Sequence, residues 1–137
     1  MEWSIRRFLI ALAAVFVVVV GIGGVGSTLI RRAITSVDPY PTFMTDYQQR
    51  GARTYEEAKH AFSDFVVETF PPGSDAKDSI AKITGGGFEV TTSASEFVRL
   101  LWRRHAGPCS EQYSIAINRN SDGKIANIVG DLRPICL

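Results

Sequence analysis

The chain has 137 residues, 45% of them apolar and 21% charged, with a formal net charge of +1. That length accommodates one domain of ordinary size and excludes a multidomain enzyme. The near-neutral balance gives no sign of a nucleic-acid binder, and two cysteines with two histidines leave little material for a zinc cluster.

Residues 8–30 are 23 consecutive positions without a charged side chain, set between Arg6-Arg7 and Arg31-Arg32. As a helix they would reach roughly 34 Å, enough for a bilayer hydrocarbon core of about 30 Å. The β-branched run Val17 to Val20 does not oppose a helix there, because in lipid a helix satisfies its own backbone. A cleaved signal peptide is the alternative, since Arg6 and Arg7 suit its charged start and Gly24-Val25-Gly26-Ser27 offers small residues near a cleavage point. Secretory apolar cores run about 7–15 residues, however, so an uncleaved signal-anchor is expected, with residues 1–7 in the cytoplasm. Gly21 to Gly26 spells GxGxxG, but no βαβ pattern surrounds it and no dinucleotide site is expected. Gly23 and Ser27, at i and i+4, instead suit close helix approach within a membrane.

Two arginines on each flank leave the orientation to other features. Residues 33–137 carry 11 basic and 13 acidic side chains, −2 by count, which does not support a lipid-reading basic surface. Asp38-Pro39-Tyr40-Pro41 and the polar stretch after it predict an extended linker over residues 31–53, followed by a folded part over residues 54–137.

Thr54-Tyr55-Glu56-Glu57 is a capping box. Ala58, Ala61, Phe62, Phe65, Val66 and Thr69 then recur at helical spacing until Pro71-Pro72, predicting an amphipathic helix over Tyr55–Phe70. A shorter helix is expected after Ser74, with Asp75 and Asp78 at its positive end and Ala76, Ile80 and Ile83 facing inward. Gly85-Gly86-Gly87 ends it, and Phe88-Glu89-Val90-Thr91 reads as a strand. Residues 95–105 fit two patterns. As a strand, Val98, Leu100 and Trp102 share one face; as a helix, Phe97, Leu100, Leu101 and Arg104 line up. The strand is favoured because it completes a meander. Tyr113, Ile115 and Ile117 alternate with Ser114, Ala116 and Asn118, the period of a half-buried strand. Asn120-Ser121-Asp122-Gly123 supplies the turn, and Lys124 to Val129 returns as its partner. The expected fold is therefore α+β: one N-terminal transmembrane helix, then two helices packed on a three- or four-stranded antiparallel sheet.

Cys109 precedes the last hairpin and Cys136 follows it, so hairpin geometry can bring the pair within bonding range. A bond would contribute about 3.6 kcal/mol in the chain-entropy model. It would also require an oxidising compartment, which places the folded part outside the cytoplasm; two reduced thiols are the alternative.

No catalytic constellation is visible. The serines are scattered, no GxSxG occurs, His60 falls on the polar side of its helix, and neither His60 nor His105 has metal-ligand spacing to other donors. Arg99, Arg103, Arg104 and His105, with Trp102 among them, are the only charge concentration that suggests a partner-binding surface. On a strand Arg99 and Arg103 point one way beside Phe97 and Leu101, and guanidinium forks next to apolar surface suit carboxylates or phosphates. A solvated outer sheet face reads the same way.

Gly73-Ser74 opening a helix, Trp102 on a following strand and Asp122-Gly123 in the last hairpin carry a resemblance across residues 70–130. In these features the chain resembles the SmpA/OmlA type of small bacterial outer-membrane lipoprotein module, a helix with a three-stranded antiparallel meander. It departs from that pattern in having no lipid-acceptor cysteine after the apolar segment, where a membrane helix is expected instead. The resemblance implies a binding or scaffolding module of the cell envelope and supplies no catalytic residues.

Together these features predict a single-pass inner-membrane protein, not an enzyme and without a cofactor, that presents a periplasmic domain to an envelope protein partner. A secreted or tethered inhibitor or ligand-binding module, using the arginine-bearing sheet face, is the alternative.

Overall fold

The computed structural model describes residues 37–136, residue 53 excepted. The transmembrane helix and signal peptide read for residues 8–30 lie outside these residues. Among the described residues no helix is long and apolar enough to cross a membrane.

A single turn of 3-10 helix, Thr42–Met44, leads into α1 (Thr45–Gln49), α2 (Tyr55–Thr69) and α3 (Ala76–Gly85). Four strands follow: β1 (Glu89–Ser93), β2 (Phe97–Ala106), β3 (Cys109–Arg119) and β4 (Ile125–Cys136). They form one antiparallel meander in the order β1-β2-β3-β4, so the fold is α+β. Residues 95–105 are strand in the greater part, and Leu101 and Arg104 do not share the stripe that the helical alternative required.

The helix ends follow from their sequences. Thr54 Oγ1 accepts from the Glu57 amide while the Glu57 carboxylate accepts from the Thr54 amide, closing the capping box at the start of α2. Asp75 caps α3 by accepting from the amides of Lys77 and Asp78. Gly87 leaves α3 with φ +94°, a left-handed conformation that a residue with a Cβ rarely adopts.

Period-2 alternation sets the inner face of the sheet. Register pairs Val98 with Ile117, Leu100 with Ile115 and Trp102 with Tyr113, and continues to Ile128, Gly130 and Leu132 on β4. Phe62, Phe65 and Val66 of α2 and Ile83 of α3 cover that face, with Phe88 beside them. α2 lies close on β4 because Gly130 has no side chain: a Cβ there would stand 2.9 Å from Val66 Cγ2 and 3.2 Å from the Phe62 ring. The segment Gly73–Ala76 runs beside the start of β4, with Gly73 donating to the Ile125 carbonyl and Ile125 donating to the Ser74 carbonyl.

Three expectations need correction. Residues 37–49 are part of the domain and not linker, since Met44 is 0% exposed, Tyr47 is buried and Tyr40 and Phe43 pack against the core. The domain accordingly begins at Val37, which is bridged to Ala106 beside β2. Among the described residues three α-helices occur where two were expected beside the sheet. The last strand runs to Cys136, seven residues beyond the expected return at Val129.

Candidate functional site

The two faces of β2 divide the residues singled out from the sequence. Arg99 and Arg103 point outward; Trp102 and Arg104 point inward with Val98 and Leu100. The four therefore do not form one surface.

The outer face can be laid out in rows across the strands. One row is Arg103, Gln112 and Arg133; the next is Leu101, Ser114 and Asp131; the third is Arg99, Ala116 and Val129. At about 4.8 Å between strands and ~3.4 Å per residue, Arg103 and Arg133 stand roughly 10 Å apart across the sheet, and Arg99 and Arg103 roughly 14 Å apart along it. Small Ser114 and Ala116 between larger neighbours leave a shallow groove of about 200 Å3 along β3. Asp131 is engaged by Lys59 at 3.2 Å and Arg133 at 3.0 Å; although burial opposes it, these two cations hold its carboxyl below the usual range. Arg99 and Arg103 make no ion pair among the described residues; Arg99 lies 5.7 Å from the Phe97 ring centroid. Val129 is 47% and Ile135 52% exposed, adding apolar surface to β4.

On the inner face Arg104 is a clamp. Its Nε donates to the Asp38 carbonyl at 2.7 Å, and one terminal nitrogen donates to Tyr40 Oη at 3.1 Å and Glu111 Oε2 at 2.8 Å. Its guanidinium carbon lies 4.0 Å from the Tyr40 ring centroid. Tyr113 also donates to Glu111 Oε2, at 2.8 Å. The side chains of Arg104 and Glu111 are only 12% and 11% exposed. Burial works against the guanidinium charge, but Glu111 beside it outweighs that and raises the Arg104 pKa. Burial raises Tyr47 to about 12 and drives Tyr113 upward as well, so both hydroxyls stay protonated. Asp38 completes the clamp from the backbone side, donating its amide to the His105 carbonyl and accepting the His105 amide on Oδ2.

Sequence reading missed this network because Asp38 and Tyr40 lie 64 to 73 positions from the strand residues they join. Two signals were present: Arg104 alternates with the outward arginines, and Glu111 is in phase with the apolar Tyr113, Ile115 and Ile117.

Beside the clamp a concavity of about 290 Å3 opens between α1, the start of α2 and β3, with Tyr47, Tyr55, Tyr113, Gln48 and Glu111 among its walls. His60 lies exposed on α2, and no group of His, Cys, Asp and Glu suited to a metal ion occurs among the described residues.

Cys109 and Cys136 are register partners at the open end of the β3–β4 hairpin and are bonded to one another. The fold and this face define a two-layer α+β domain, with helices on one side and, on the other, an arginine-bearing sheet face that no helix among the described residues covers. Compared with known proteins, the chain matches no family model, no curated protein and no solved structure.

Proposed function

We propose that the chain is a single-pass protein of a bacterial inner membrane that displays its α+β domain in the periplasm and binds an envelope protein there. The observation that carries this reading is the sheet face that no helix among the described residues covers, where Arg99 and Arg103 have no ion pair among those residues and flank Leu101. Exposed guanidinium forks beside apolar surface recognise carboxylates bidentately, so the partner is a protein presenting acidic side chains on an extended segment. The Cys109–Cys136 bond supports an oxidising compartment. The uncharged run at residues 8–30 supports the tether. The domain acts by contact and performs no chemistry.

Co-purification from intact membranes in mild detergent tests this. Wild-type chain is expected to retain a protein partner that the double variant Arg99→Glu, Arg103→Glu loses, with the thermal unfolding of the two chains alike. Recovery of the same partner with both chains, or of none with wild type, would overturn the reading.

A further inference from the structure

We propose that the groove along β3 on the outer sheet face binds an extended segment of another protein with carboxylates at positions i and i+4 and a small or apolar side chain midway between them. The inference rests on the docking reading above and deepens it, from an acidic partner to a defined spacing of its acids.

The rows across this face alternate in charge. Arg103, Gln112 and Arg133 form one basic row, and Arg99 with Ala116 and Val129 forms another. Between them lie Leu101 and Ser114, flanked by Glu89 on β1 and Asp131 on β4. Donor capacity is left over in the basic rows. Arg99 and Arg103 make no ion pair among the described residues, and Arg133, its side chain 75% exposed, engages Asp131 through Nε. Arg103 and Arg133 face one another across Gln112 at about 10 Å, so a carboxylate set over Gln112 is within reach of both guanidinium forks. The middle row opposes an acid, because Glu89 and Asp131 bear like charge and Asp131 already holds Lys59 and Arg133. Leu101 and Ser114 there suit a short uncharged side chain.

An extended chain lying along β3 turns every second side chain to the sheet, at about 3.4 Å per residue. Positions i and i+4 then fall roughly 14 Å apart, over the two basic rows, and i+2 falls over Leu101 and Ser114. At about 200 Å3 the groove is smaller than small-molecule sites, which start at roughly 300 Å3, and it takes side chains instead. A polyanion charged at every unit, such as single-stranded nucleic acid, would set charge against Glu89 and Asp131. The chain's own sequence holds no such segment. Residues 1–36 contain a single acid, Glu2. The chain's only acids four positions apart, Asp64 and Glu68, lie on α2, where four residues rise about 6 Å. The occupant is therefore a different protein and not a second copy.

The test is a titration of the full chain in neutral-lipid nanodiscs with three capped peptides, followed by NMR of labelled backbone amides. The peptides are Glu-Ser-Leu-Ser-Glu, its isomer Glu-Glu-Leu-Ser-Ser and the neutral Gln-Ser-Leu-Ser-Gln. The first should saturate and bind about tenfold more tightly than either of the others, as expected for one charge-assisted contact. Arg133→Gln, and Ser114→Tyr, which fills the groove without changing charge, should each weaken it about tenfold with thermal unfolding unchanged. Equal affinity for the two acidic isomers would overturn the spacing and leave the acidic docking reading standing; that reading fails separately, if co-purification yields no partner sensitive to Arg99→Glu, Arg103→Glu. No saturation by the first peptide, tighter binding of oligothymidylate than of that peptide, or unchanged affinity in both variants would likewise overturn the proposal.

Discussion

Removing Arg104 isolates a buried carboxylate. In Arg104→Met the methionine fills much of the same volume, but Glu111 loses its cation, and Tyr40 Oη and the Asp38 carbonyl lose a donor. Breaking a buried pair from one side costs about 3–5 kcal/mol, because an uncompensated charge stays in the interior. Removing both partners, as in Arg104→Met with Glu111→Leu, leaves no such charge. The cost then falls to the lost hydrogen bonds of Tyr40, Tyr113 and Asp38, about 1 kcal/mol apiece, offset by better apolar packing. The double variant should therefore lie within about 2 kcal/mol of wild type and above the single variant. Thermal unfolding of the full chain, followed by near-ultraviolet circular dichroism of its aromatic cluster, reads this directly. The single variant should melt at least about 12 °C lower, taking 4–8 °C per kcal/mol for a domain of this size. An Arg104→Met cost below about 1 kcal/mol, or a double variant as unstable as the two single losses summed, would refute the clamp.

Gly130→Ala places a Cβ against Val66 and Phe62 and should destabilise by about 1–3 kcal/mol through overpacking, measured by denaturant unfolding. The paired change Cys109→Ala, Cys136→Ala should cost up to about 3.6 kcal/mol in the same assay, as the chain-entropy model gives for this loop. The amide hydrogen bond from Asp78, with Lys124 beside it, holds the Asp75 carboxyl below its usual range. A depressed folded value means that the stability it contributes is present above about pH 4 and is lost as pH falls through that value; Asp75→Asn should flatten this acid limb. Tyr47 shifts the opposite way: with its folded pKa at about 12, stability should be intact below about pH 10 and decline as pH rises towards 12, with tyrosinate absorbance for Tyr47 and Tyr113 appearing only on unfolding.

Much of the two-layer architecture was legible because its signals are local. A capping box, a 3.6-residue stripe and a proline pair mark α2 within the nineteen positions from Thr54 to Pro72. Alternation marks β3, and Asn120 forms the hairpin turn by accepting the Asp122 and Lys124 amides on Oδ1. Residues 37–49 were opaque for the same reason. α1 has five residues, too few to display a period, and Pro39 and Pro41 resemble linker composition. What fixes that segment is tertiary: Met44 and Tyr47 enter a core made by strands more than fifty positions away, and Arg104 holds Asp38 and Tyr40. The arginine cluster was legible as a concentration of charge, and its division between faces follows from strand parity alone. The concavity was not legible, since α1, α2 and β3 meet there only through packing.

The compartment is tested most directly by the oxidation state of Cys109 and Cys136 in native cells, trapped by alkylation at lysis and read by mass mapping without reductant. An extracytoplasmic, membrane-tethered domain predicts one peptide pair linked through these residues and no alkylated thiol. Alkylation of both cysteines in freshly lysed cells would contradict it and return the domain to a reducing compartment.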